Sequence, residues 1–152
     1  MRKFHFRLQP ALDQAQRLED DASLKLAALE SERIRENERL AELLSLCERL
    51  SHQLKTAQSG EVELNEVRSR RIHLEHAWNR AAEIKQSIGE LDQKIAENRE
   101  RLVKLMQKRQ LLDRLKDTHA SQHRQEMMSL ELMAQDEVAT MRYARRQLGN
   151  ES

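Results

Sequence analysis

The chain has little that can bend a backbone. One proline and three glycines serve 152 residues, so few turns, and hence few separate elements, can form. Aromatic residues make up only 3%, whereas a globular domain of this length normally packs more large rings into its core. Cys47 is the single cysteine. That excludes an internal disulfide and fits a reducing compartment. No apolar run approaches the roughly 18 residues that span a bilayer. The opening Met1–Leu8 is basic but lacks an apolar stretch, so it does not read as a secretory signal. Neither sign of charge is in excess: 27 Lys and Arg stand against 26 Asp and Glu. General nucleic-acid binding, which needs a basic excess or stripe, is disfavoured.

What the sequence does have is a seven-residue rhythm. Charged residues make up 35%, and the apolar residues are mostly Leu, Ala, Ile and Met, which suit helices. One seam runs Leu8, Leu12, Ala15, Glu19, Ala22, Leu26, Leu29, Arg33, Glu36, Leu40, Leu43, Cys47, Leu50, Leu54, Ala57. A second runs Val67, Arg70, Leu74, Ala77, Ala81, Ile84, Ile88, Leu91, Ile95, Asn98, Leu102, Leu105, Arg109, Leu112. Alternating steps of three and four over this length define coiled-coil helices. The phase breaks once, at Ser59-Gly60. The expected fold is all-α, a two-helix antiparallel hairpin with an overhanging C-terminal helix.

The expected bounds are about 4–58 for helix one, 59–60 for the turn and 61–148 for helix two, in a single domain covering 1–152. Pro10 suits a first helical turn. Gly60 would supply the left-handed conformation that ends a helix, and Gly149 would cap the second. Gly89 lies inside the second seam and reads as an interior glycine, about 1 kcal/mol less favourable than Ala. Folding about Gly60 would set Leu8 near Leu111 or Leu112 and Asn98 near Glu19–Ala22. The second helix, at 1.5 Å per residue, would be about 130 Å long against about 75–80 Å for the first. Beyond Lys116 it would then have no partner from helix one. There the seam in register would place Lys116, His119, His123 and Glu126 in the core, and these are poor core residues. A shifted apolar stripe restarts at Met127, Leu130, Ala134, Val138, Met141 and Leu148. An unpaired apolar stripe needs a cover, which the sequence assigns to a partner protein in preference to a second copy or fraying.

No catalytic constellation, phosphate loop, metal motif or cofactor motif stands out. His119 and His123 share a helix face, but no third ligand is evident, so they read as solvated residues, as do His73 and His76. Cys47 reads as a small buried hydrophobe in the seam. Arg33 and Glu36 form either a register-fixing polar layer or a pair that snorkels outward, the second favoured for want of a buried counterpart. Arg68, Arg70 and Arg71 cluster past the turn. Arg142, Arg145 and Arg146 share one side of the terminal helix. They fit the helix dipole there, and beside Met141 and Tyr143 they also suit a docking surface. Ile72 at an outward position and Trp78 flanking the seam suggest a second contact site. Trp78 packed over Ala77 and Ala81 is the equally weighted alternative.

The opening Phe4-His-Phe-Arg-Leu8, then Leu12 and Arg17-Leu-Glu-Asp-Asp-Ala22, resembles the start of the flagellar FliJ family. The ending Met133-Ala-Gln-Asp-Glu-Val-Ala-Thr-Met-Arg-Tyr-Ala-Arg-Arg146 resembles its end. Stalk proteins of the YscO kind, from virulence type III secretion, are close relatives of that family. The resemblance implies a soluble, non-enzymatic component of the flagellar type III export apparatus, similar to the coiled-coil stalk of rotary ATP synthases. It implies a cytoplasmic place, peripheral to the inner membrane. It implies three partners: the hexameric export ATPase FliI, the export-gate protein FlhA, and flagellar export chaperones. On this chain ATPase contact would fall on Phe4, Phe6, Arg7, Met141, Arg142, Tyr143, Arg145 and Arg146. Gate contact would fall on Ile72, Leu74 and Trp78. The competing readings are a scaffold coiled coil dimerising through one unbroken helix, and a membrane-surface protein using the terminal stripe. Gly60 counts against the first, Asp136 and Glu137 against the second.

Overall fold

A computed structural model describes residues 2–58, 60 and 63–151. Two long helices, α1 (Gln9–Gln58) and α2 (Leu64–Asn150), pack against each other as an all-α hairpin. No strand occurs among the described residues.

α1 starts at Gln9 rather than near residue 4, and the reason is Pro10. A helix reaching further upstream would bury Pro10 in its interior, where the ring clashes with the carbonyl four residues back, that of Phe6. Instead the Phe6 carbonyl accepts from the Gln9 N–H at 3.1 Å, and Leu8 accepts from Leu12 at 3.0 Å. α2 opens on the Glu63 carbonyl, which accepts from Glu66 at 3.1 Å and Val67 at 3.4 Å.

The glycine expectations need correction. No described glycine has a positive φ. Gly60 is a bend between α1, which ends at Gln58, and α2, which starts at Leu64. Ser59, the other expected turn residue, and Glu61, the expected start of helix two, lie outside the described residues. Gly149 lies inside α2, and Glu151 N–H still donates to the Gln147 carbonyl at 3.2 Å. The helix therefore ends without a left-handed cap.

The chain divides into two compact units. The first comprises Glu19–Lys104. All seam positions named within it are buried or half-buried. Cys47, Leu50 and Ala77 form its densest cluster, with Leu46 and Leu74 against them. Cys47 is only 1% exposed, in keeping with its reading as a core residue. Ala22, Ala57, Ala77 and Ala81 are all buried. Small side chains at these layers let the helices approach closely, while Leu91 and Ile95 supply buried bulk. Each fully buried Leu or Ile contributes about 1.5–3 kcal/mol.

Among the polar seam residues of this unit, Arg33 turns outward as expected and pairs at the surface. The Arg33 Nε donates to Asp92 across the hairpin, and Arg99 reaches Glu30 at 2.9 Å. Glu36 pairs within its own helix with Arg39 at 3.0 Å. Arg33 thus has the counterpart that its own helix could not reveal. Arg70 donates to the Gln53 carbonyl at 3.4 Å. Asn98 turns to its own helix, donating to the Lys94 carbonyl at 2.7 Å. The register also differs from a fold about Gly60, which would set Arg33 opposite Ser87. Asp92 lies a few residues further along.

The second unit joins residues up to Leu18 with Leu105–Ser152. Phe6, Leu12 and Ala15 are buried on its first segment. On α2, Leu105, Arg109, Leu112, Asp113, Lys116, Ala120, His123 and Met127 are half-buried. The stripe thus continues past Lys116 with Ala120 and Met127 in place of the expected His119 and Glu126. Leu8 is exposed, a correction to the first seam, and Phe6 is the buried residue instead. From Met128 to Glu151 every residue is exposed.

Candidate docking surfaces

The lead-in before α1 is extended and lies along α2 within the second unit. Phe6 meets His119 edge-on, with ring centroids 5.8 Å apart and planes at 68°. Phe4 meets His123 at 5.7 Å and 45°. His123 Nε2 lies 3.1 Å from the Arg2 carbonyl. A carbonyl can only accept, so this nitrogen carries the proton and donates. Both histidines touch the lead-in: His123, expected to be solvated, is half-buried beneath it, whereas His119 stays exposed as expected. Alternation of Phe4 and Phe6 was the available signal. Its partners are not visible in the pattern, because imidazoles score as polar.

This geometry sorts the residues singled out for the first surface. Phe6 is 4% exposed and holds the lead-in in place. Phe4 is partly open, and Arg7 is exposed. Met141, Arg142, Tyr143, Arg145 and Arg146 are all exposed on the terminal part of α2. Gln147 Nε2 donates to the Tyr143 hydroxyl at 2.9 Å, which steadies that ring against the helix. Leu130, Val138, Met141 and Leu148 are exposed apolar residues of the restarted stripe. Met128, Leu132, Met133 and Tyr143 add further exposed apolar surface outside that line. So much uncovered apolar side chain on one helix marks a contact surface. A shallow hollow lined by Arg2, His123, Arg124, Met127, Met128 and Glu131 lies where the lead-in gives way to this free helix.

The second surface lies in the Glu19–Lys104 unit. Ile72 is 54% exposed and Trp78 49%. The indole thus keeps about half of its surface open. Leu74 packs against the Cys47 cluster and is half-buried. Ile72 and Trp78 are exposed, and Leu74 lies in the seam. Among the described residues no cluster of metal-ligating side chains occurs.

The fold and these surfaces define a coiled-coil hairpin that carries an uncovered amphipathic helix. A family model described as "Flagellar FliJ protein" matches residues 4–148. The chain belongs to the FliJ family, and so to the structural components of the flagellar type III export apparatus. No curated protein and no solved structure gave a significant match. No helix among the described residues is long and apolar enough to cross a membrane.

Proposed function

We propose that this chain is the stalk of a flagellar export apparatus and docks into the ring of the export ATPase FliI. The observation that carries this reading is the run Met128–Glu151, exposed at every position. It sets Met141 and Tyr143 among Arg142, Arg145 and Arg146. Aromatic, Met and Arg side chains are those that dominate protein interfaces. Phe4 and Arg7, held on the same unit by the buried Phe6, extend the contact.

A rod alters a ring's turnover only when it binds one ring state better than another. The stalk therefore acts by differential affinity. Hydrolysis stays on the ATPase.

The gate protein FlhA is assigned to Ile72 and Trp78, with Leu74 as their support. Handling of export chaperones rests on family membership alone. The apparatus itself would hold the chain on the cytoplasmic side of the inner membrane.

The test is ATP hydrolysis by the export ATPase with and without this protein. Stimulation is expected, with loss on combined Arg142→Ala, Arg145→Ala and Arg146→Ala in a protein of unchanged helicity. Full stimulation by that variant removes the terminal helix from the contact.

A further inference from the structure

Charge is not spread evenly along the free part of α2. From Glu126 to Glu137 the ionised residues are Glu126, Glu131, Asp136 and Glu137, all acidic. From Met141 to Leu148 they are Arg142, Arg145 and Arg146, all basic. All seven are exposed. Neither Glu131 nor Arg145 has an ion-pair or hydrogen-bond partner among the described residues. On the same segment Leu130 and Leu148, and Ala134 and Ala144, stand equidistant from Ala139, whereas Met141 is matched by Glu137.

We infer that this segment pairs with the same segment of a second copy of the chain, antiparallel, about a two-fold axis beside Ala139. Leu130 then lies opposite Leu148 of the second copy, and Ala134 opposite its Ala144. Val138 comes beside its own counterpart. Glu131 flanks the seam opposite Arg145, and the symmetry makes this pair twice. A parallel pairing would set the acidic half on the acidic half and the basic half on the basic half. Like charges facing each other are destabilising, so the pattern selects the antiparallel arrangement. Glu137 interrupts the stripe, so the association is weak and depends on concentration.

The lead-in does not obstruct this pairing. Its contacts reach His123, and the exposed run begins at Met128. The inference is independent of the ATPase contact, although pairing and docking would compete for the same side chains.

The test is the mass of the full chain by sedimentation equilibrium across a concentration series at low salt, with no ATPase present. The expected mass rises from 17.9 kDa towards twice that value. Glu131→Arg alone and Arg145→Glu alone each weaken association about tenfold, since each sets two like-charged pairs face to face. The double exchange restores it. These positions are exposed, so the variants keep their fold.

Direction is read by a short bis-maleimide. Val138→Cys couples to itself, whereas two Ala134→Cys positions lie about 15 Å apart along the axis and do not. Cys47 is buried and stays out of the reaction. A constant monomer mass, single variants that associate like the parent, or self-coupling at 134 instead of 138 each overturns the proposal.

Discussion

The edge of the Phe6 ring meets the imidazole of His119, 113 positions away in the chain, with centroids 5.8 Å apart. This contact and its neighbour, Phe4 on His123, bind an extended lead-in to a helix. Phe6→Ala should therefore free the lead-in while leaving the rest of α1 in place. Removing a buried phenyl costs about 3 kcal/mol. Hydrogen exchange should speed up by orders of magnitude at the amides of Gln9 and Leu12. Unchanged exchange there would mean that Pro10 and the backbone alone hold the segment.

Leucines of equal size should differ sharply in consequence. Leu50 lies in the Cys47 cluster, and Leu50→Ala should cost about 2–4 kcal/mol. Leu130 is 60% exposed, and Leu130→Ala should stay within about 0.5 kcal/mol. Chemical denaturation followed by circular dichroism measures both. Comparable losses would mean that the terminal helix has a partner within the chain.

Gly89 is a site for stabilisation. A Cβ built there meets nothing within 4 Å, and its φ is not positive. Gly89→Ala should stabilise by about 1 kcal/mol through helix propensity, raising Tm by about 2–4 °C. Gly60→Ala should be tolerated as well, since its Cβ would lie 3.8 Å from the Thr56 carbonyl oxygen, an ordinary contact. A large loss at position 60 would mean that the connection needs a left-handed residue after all.

The bridge between Arg33 and Asp92 should contribute little. Both side chains are nearly half exposed, and such pairs are worth about 0.2–1 kcal/mol. A double-mutant cycle through Arg33→Ala and Asp92→Ala should give a coupling in that range, shrinking as salt is added. A coupling above about 2 kcal/mol would make this layer a true determinant of register.

Ile72→Asp and Trp78→Asp should abolish binding to the gate protein FlhA and leave the melting curve almost unmoved, since both side chains face solvent. Leu74→Asp should instead lower stability, because it puts a charge against the Cys47 cluster. Pull-down and thermal melting, run side by side, separate the two effects. Retained FlhA binding by both surface variants would move the gate contact elsewhere.

The heptad pattern made the seams legible almost residue by residue. From Val67 to Leu112 every named position is buried or half-buried. The phase of a seam follows from which residues are apolar, and that is local information. Register is not local. It depends on how the chain crosses 59–63, and a pattern with a repeat of seven accepts several offsets. The seam pattern alone therefore does not pair Arg33 with Asp92. The seat of the lead-in is not legible for another reason. Its floor is His119 and His123, whose rings pack like aromatics while hydropathy counts them as polar. The free terminal helix was legible in part: the stripe Leu130, Ala134, Val138, Met141 and Leu148 is visible in sequence alone, whereas Met127, expected to belong to it, is half-buried with the covered part of α2.

Hydrogen exchange of the full chain, with and without the assembled export ATPase ring, tests the central claim most directly. Residues 128–150 are helical yet uncovered, so their amides should exchange fast in the free chain. The account predicts strong protection of that segment, and of the lead-in, when the ring is added. Protection confined to the region of Ile72 and Trp78, or no protection at all with a ring that hydrolyses ATP, would contradict it.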